Sequence, residues 1–399
     1  MPQLLDVFSG LSKGALIAGL VTLGSCTTAR TILKQAPTER PAGWSPEVRP
    51  GLDAETTRSL LQSEIYGRID LEAQASVADM SELDPPATNP AAKVLQWALD
   101  VTYADVIRPL DLVLVLPEGA PDAPIILTQN FCPNQNVLPL PGVRSPDGVT
   151  MDCSGGGLFG LLMTRVFGRY IVEPPIADIL DRGYGLAVMY PAQVVPDRAQ
   201  AGNDLLDSMF PGEPNRPGAL AVWADLIDLA ADVIEAEVGE RTLIAYGHSR
   251  FGKTALLAGA WFETIDAVVA HQSGTLGAST LDDRDGEPVS ALVESYPHWP
   301  ALKLSTYADH PGSLPVGPSD LLGLLADKPV LLGNARRDVW SDPWGAFKEA
   351  KAAWSDFAAD EPSDFRPGDA KAYWLRAGTH GVVKEDWPAF LDFLDANVK

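Results

Sequence analysis

The chain has 399 residues and a formal net charge of −23, from 53 Asp and Glu against 30 Lys and Arg. That length fits an α/β enzyme with loop insertions folded as one unit, and 35 Gly and 34 Pro in a chain 46% hydrophobic fit an ordered, loop-rich globule. The acidic balance excludes nucleic acid as a partner and capture of polyanions by the global field, because both need clustered cations.

Near the N-terminus, Lys13 precedes the apolar run Ala15-Leu16-Ile17-Ala18-Gly19-Leu20-Val21-Thr22, which closes on Leu23-Gly24-Ser25-Cys26. The run is too short to span a bilayer comfortably and fits the apolar region of a signal peptide. Its ending resembles a bacterial lipobox, in which the cysteine becomes the lipidated first residue; an ordinary cleaved signal is the alternative. The expected organisation is a lipoprotein-type signal over residues 1–25, lipidation at Cys26, a polar, proline-bearing tether over 26–53 and a single domain over 54–399. Such a protein is exported to the bacterial periplasm or cell surface as an outer-membrane lipoprotein. It touches the membrane through its lipid anchor alone and is a monomer. Export places Cys132 and Cys153 in an oxidising compartment, where they either pair or remain two buried thiols.

Residues 54–77 carry a weak helical period, and 94–107 mix apolar patches without a clear one. Residues 110–116 form a strand stopped by Pro117, and a turn leads to a second strand at 125–127, which predicts an antiparallel pair. A proline- and glycine-rich surface excursion occupies 139–157. A helix ends at 176–180, a strand follows at 186–190, and 191–217 read as a loop insertion. Trp223, Leu226, Ile227, Ala230, Val233 and Ile234 then recur at helical spacing.

The next stretch organises the rest. The buried-strand pattern Leu243-Ile244-Ala245-Tyr246 turns through Gly247-His248-Ser249-Arg250-Phe251-Gly252 into a helix of small residues from Lys253. A strand, a turn with serine at its apex and a helix make the nucleophile elbow of an α/β-hydrolase. The turn strains the backbone at the serine, so neighbours on both sides have to be small. Phe251 stands where the second glycine of the usual pattern belongs, and Gly252 follows it. The competing reading is a serine that only caps the next helix.

Downstream come a strand at 267–270, a long loop over 273–320, a strand at 329–334, a helix at 346–353 and a strand at 372–375. A last helix puts Trp387, Phe390, Leu391, Leu394 and Val398 on one face. The alternation predicts a three-layer α/β-hydrolase sandwich with a mostly parallel central sheet and loop insertions. In that fold the loop 130–136 contributes to the oxyanion hole or the pocket rim. The sequence has no Gly-rich phosphate loop, zinc-spaced Cys/His set or dinucleotide fingerprint, so no metal and no cofactor are expected.

In this fold the nucleophile, acid and base follow one another at successive strand ends. After the strand ending at Asn334 comes Arg336-Arg337-Asp338-Val339-Trp340-Ser341-Asp342, and after the next strand comes Gly378-Thr379-His380-Gly381. Those positions suit Asp338 as the orienting acid, with Asp342 in the same loop as its alternative, and His380 as the base. An imidazole titrates near neutral pH and can take and return the serine proton. Of the other four histidines, His248 is expected to point away from the elbow.

Gly-His-Ser-Arg-Phe-Gly-Lys, with arginine directly after the serine and lysine four residues after it, resembles the elbow of glucuronoyl esterases. The likeness continues through Ser273-Gly274, Gly286-Glu287, Pro297-His298-Trp299, Lys328-Pro329, Asp338-Val339-Trp340-Ser341-Asp342-Pro343, Thr379-His380-Gly381 and Glu385-Asp386-Trp387. The resemblance implies a serine esterase that cleaves esters of (4-O-methyl-)glucuronic acid, as in lignin–carbohydrate or glucuronoxylan esters. It implies Ser249 as nucleophile, His380 as base and Arg250 as oxyanion support. Lys253 and Glu287 would bind sugar hydroxyls, and Trp340 would line the sugar site. Two departures stand out. Where part of the family places its acid before Ser-Gly, this chain has Gln272, which leaves Asp338 for the role. The loop 130–136 keeps Asn-Phe and Asn134 but lacks the histidine that bacterial relatives often show after it. The rival expectations are an acetyl- or feruloyl-xylan esterase with the same triad, and a non-catalytic glycan-binding surface lipoprotein.

Overall fold

The computed structural model describes residues 51–146, 167–281 and 286–399. The signal, Cys26 and most of the tether lie outside them, as does Cys153. Cys132 is disulfide-bonded.

Nine strands form one sheet. They are β1 (Gln74–Leu83), β2 (Lys93–Tyr103), β3 (Val106–Leu116), β4 (Ile125–Gln129), β5 (Gly185–Met189), β6 (Leu243–His248), β7 (Ala267–His271), β8 (Val330–Ala335) and β9 (Lys371–Arg376), in the order β1-β2-β3-β5-β4-β6-β7-β8-β9. The first three are antiparallel, β3 pairs antiparallel with β5, and from β5 to β9 every pairing is parallel. The expected antiparallel pairing of 110–116 with 125–127 is therefore wrong, because β5 lies between them. A short link does not make two strands neighbours when a later crossover inserts a third.

Helices cover both faces: α1 (Ala54–Leu61), α2 (Ile176–Asp181), α3 (Ala199–Met209), α4 (Ala219–Val238), α5 (Arg250–Trp261), α6 (Val289–Ser295), α7 (Pro343–Ala353) and α8 (Asp386–Asn397), besides a six-residue helix at Pro318–Gly323 and several short helical turns. Alternation within the strands sorts the core. Leu243 and Ala245 of β6, Val268 and Ala270 of β7 and Val330 and Leu332 of β8 join α4, α5 and α7 on one side. Ile244, Tyr246, Ala267, Val269 and Leu331 join α2 and α8 on the other. A parallel sheet covered twice needs apolar residues at every position, which is why these strands read as continuous runs. The helix α4 is buried almost all round, so its sequence is apolar beyond one stripe.

The weak helical period over 54–77 resolves into α1, capped where the Asp53 carboxylate accepts from the Thr56 N–H at 2.8 Å, and then strand from Gln74. The unassigned residues 94–107 are most of β2 and the start of β3. The insertion 191–217, expected as loop, contains the helix α3, and the loop 273–320 contains α6. The helix α6 is only seven residues long, and α3 buries only Gly202, Leu206 and Met209, too few large apolar residues to stand out as a stripe.

Candidate active site

The serine turn meets the geometric demands of an elbow. Ser249 has φ 58 and ψ −123, a conformation that costs on the order of 1–3 kcal/mol and persists only where surrounding structure enforces it. Its N–H donates to the His271 carbonyl at 2.8 Å, which ties the apex to β7. A Cβ on Gly247 would lie 1.8 Å from the Phe251 carbonyl oxygen, so glycine is required there. The close approach on the helix side involves the Phe251 backbone. Its side chain turns into the core against Trp223 and Phe131, with ring centroids at 5.7 and 4.9 Å. The helix begins at Arg250, three residues earlier than expected. Ser249 makes no side-chain capping bond to it, which removes the reading of a mere cap.

The sheet register lines up the strand ends. His248 of β6 is level with His271 of β7, His271 with Gly333 of β8, and Ala335 of β8 with Arg376 of β9. The loops after β8 and β9 then bring Asp338 and His380 together. His380 Nδ1 lies 2.7 Å from Asp338 Oδ2, with the histidine 9% and the aspartate 1% exposed. The Asp338 carboxylate also accepts from the Trp340 N–H at 3.0 Å, the Ser341 N–H at 3.2 Å and the Ser341 hydroxyl at 2.6 Å. Burial acts to raise this carboxyl, but the His380 imidazole and the Ser341 donors outweigh it and hold it below the usual carboxylate range. An ionised partner fixes the tautomer with the proton on Nδ1, which leaves the Nε2 lone pair available.

Asp342 is committed elsewhere. Its carboxylate caps α7 through the Gly345 N–H at 3.0 Å and accepts from the Ser279 and Thr280 hydroxyls at 3.2 and 3.3 Å. Gln272 sits between β7 and the histidine loop. It accepts from the Gly381 N–H at 2.8 Å and donates to the Thr379 carbonyl at 3.3 Å, bracketing His380 on both sides. Arg376 grips the same loop through the Thr379 and Gly381 carbonyls and is itself held by both oxygens of Asp386.

The expectation that His248 points away from the site is overturned. Its ring packs against His380, tilted by 41° with centroids 4.7 Å apart, and its Nδ1 lies 3.1 Å from His271 Nδ1. Burial, then the neighbouring positive or titrating groups, pushes both His248 and His271 well below the usual imidazole range. Neutral His248 therefore lies against His380, with neutral His271 packed behind it. His380 also meets Trp340 edge to face, with ring centroids 5.3 Å apart.

Lys253 is 2% exposed, so it is not a solvated helix residue. Its ammonium donates to the Ser273 carbonyl and lies 3.5 Å from Glu287 Oε2. Arg250 is ion-paired to Asp197, and its guanidinium sits over the Phe131 ring of the loop after β4. Among the described residues no group of three or more His, Cys, Asp or Glu side chains could hold a metal ion. Sequence reasoning missed the parts played by Gln272, Arg376 and Asp197. Spacing gives no sign that Asp197 meets Arg250, whereas Asp386, His298 and Trp299 stood inside matched motifs.

The chain has an α/β-hydrolase fold that carries a strained serine and an aspartate–histidine pair at successive strand ends. Residues 190–359 match the family model described as fungal glucuronyl esterase. The fold superposes on a glucuronoyl esterase from Solibacter usitatus with a TM-score of 0.74 and 26% identity, covering 91% of this chain and 100% of that one. Carbohydrate esterase MZ0003, from an unknown prokaryotic organism, is 30% identical over 246 residues, 57% of this chain and 56% of that protein. A 4-O-methyl-glucuronoyl methylesterase of Phanerochaete chrysosporium is 24% identical over 174 residues, 41% of this chain and 37% of that one. The chain thus matches about half or less of the length of these curated relatives. By sequence and by structure, it is similar to carbohydrate esterases, glucuronoyl esterases among them.

Proposed function

We propose that this chain is a serine carboxylic ester hydrolase cleaving esters of (4-O-methyl-)glucuronic acid. The observation that carries the reading is the 2.7 Å pairing of Asp338 with His380, whose ring packs on His248, the residue before a serine whose strained turn does no capping. Ser249 Oγ attacks the ester carbonyl while His380 Nε2 takes its proton, and the Asp338 charge stabilises the resulting imidazolium. Charge on the carbonyl oxygen is met by the Arg250 N–H, which as the first residue of α5 has no acceptor inside the helix, and by the guanidinium. His380 then gives its proton to the leaving alcohol. Water, deprotonated by the same imidazole, attacks the acyl-enzyme and releases the uronate.

The pair of buried Lys253 and half-buried Glu287 supplies donor and acceptor for sugar hydroxyls, and Trp340 supplies an apolar wall. In this reading the substrate is a uronic acid-bearing polysaccharide ester and the protein works as a monomer. Export with lipidation at Cys26 rests on the sequence of residues 1–26; no helix among the described residues is long and apolar enough to cross a membrane. The proposed tether ends where Asp53 caps α1.

The test is release of benzyl alcohol from benzyl glucuronate, with acetyl- and feruloyl-xylan assayed in parallel. Ser249→Ala is expected to abolish release. Unchanged turnover in that variant refutes the assignment, and turnover of acetyl or feruloyl esters alone moves the substrate class.

A further inference from the structure

Arg250 is enclosed by groups from four parts of the chain. Its guanidinium pairs with the Asp197 carboxylate, which also faces His298 Nε2 at 3.1 Å and accepts from Trp299 Nε1 at 2.8 Å. Around the guanidinium carbon stand the rings of Trp299, Phe131 and Tyr296, with centroids at 4.7, 5.2 and 5.6 Å. Tyr296 and Trp299 stack on each other at 3.8 Å, forming one rigid wall. Asp197 lies two residues before α3, inside the insertion between β5 and α4. That helix packs closely on the same group, since a Cβ on Gly202 would come within 2.7 Å of the His298 ring. The Arg250 side chain nevertheless keeps 20% exposure, so part of it stays open to a bound molecule.

We propose that Asp197 is the positioning residue for Arg250, fixing the guanidinium beside the Ser249 turn so that its charge and N–H groups face the carbonyl oxygen of the ester. This rests on the esterase reading above. A free arginine samples many rotamers, and each would have to be abandoned as the oxyanion forms. A guanidinium held by a carboxylate and stacked rings is already in place, and preorganised donors of this kind favour the transition state over the ground state. His298 suits the arrangement because burial, with the Arg250 and Arg216 charges, pushes it down to about 3. Both influences disfavour a second cation beside Arg250.

Asp197→Asn leaves an oxygen for Trp299 and His298 but removes the charge that holds Arg250. We expect kcat on benzyl glucuronate to fall about tenfold to hundredfold, in the range of a lost oxyanion donor, with KM near the wild-type value. In an Arg250→Ala background the same substitution is expected to add no further loss, because the residue it positions is gone. Asp197→Glu, which keeps the charge, should recover part of kcat, and thermal midpoints measured alongside separate positioning from misfolding. Wild-type kcat in Asp197→Asn, or equal losses in both backgrounds, overturns the positioning role while leaving the esterase reading intact. A wild-type protein that releases no alcohol overturns both.

Discussion

Replacing Asp338 by asparagine changes one heavy atom and reverses the direction of two hydrogen bonds. In the native site Oδ1 accepts from two backbone N–H groups, of Trp340 and Ser341, while Oδ2 accepts from the Ser341 hydroxyl and His380 Nδ1. An asparagine keeps its oxygen on the two N–H groups, since turning it over would set two donors against its amide. Its NH2 then occupies the Oδ2 position. The Ser341 hydroxyl can rotate to accept, but His380 Nδ1 can do so only by moving its proton to Nε2, the nitrogen that has to receive the serine proton. Where this tautomer reversal has been isolated in a serine protease it lowers kcat by about 10⁴. That factor equals about 5.5 kcal/mol of transition-state stabilisation. The expected result for Asp338→Asn on benzyl glucuronate is a loss of that order with KM and thermal midpoint close to wild type. Asp342→Asn serves as the control, because asparagine caps a helix as well as aspartate and tolerates the left-handed φ of 45 found there. Near-wild-type turnover in Asp338→Asn, combined with a large loss in Asp342→Asn, would refute the assignment of the acid.

Two further outcomes follow from the structure. Burial raises the Asp225 carboxyl to about 7, against the hydrogen bonds it accepts from the Tyr103 hydroxyl and the Leu71 N–H. The folded state therefore holds this proton where the unfolded chain has lost it, and stability from this group declines as pH rises from about 4 to 7. Asp225→Asn should raise the thermal midpoint at pH 8, by a free energy of at most about 4 kcal/mol for a shift of about three units, and should leave it unchanged near pH 4. A fall in the midpoint at pH 8 would contradict this. Gln272→Ala removes the acceptor for the Gly381 N–H and frees one side of the histidine loop. It should cost about 1–3 kcal/mol in denaturant unfolding and lower kcat more than it raises KM; a change confined to KM would count against it.

The sequence alone determined the periodic features: the apolar strands of a doubly covered sheet, the long helix α4, the elbow, and a histidine after the last strand. These are local signals, because a strand buried on both faces and a turn with Gly-x-Ser leave their mark within a few residues. Pairing was not legible. That β5 separates β3 from β4, that His248 packs under His380, and that Asp342 rather than Asp338 caps α7 each depend on groups far apart in sequence. The insertion before α4 looked like loop, yet it delivers Asp197 to an arginine 53 residues away. Residue type restricts what a side chain is able to bond, but only the closing of strands and loops into one tertiary structure decides which partner lies within about 3 Å of it.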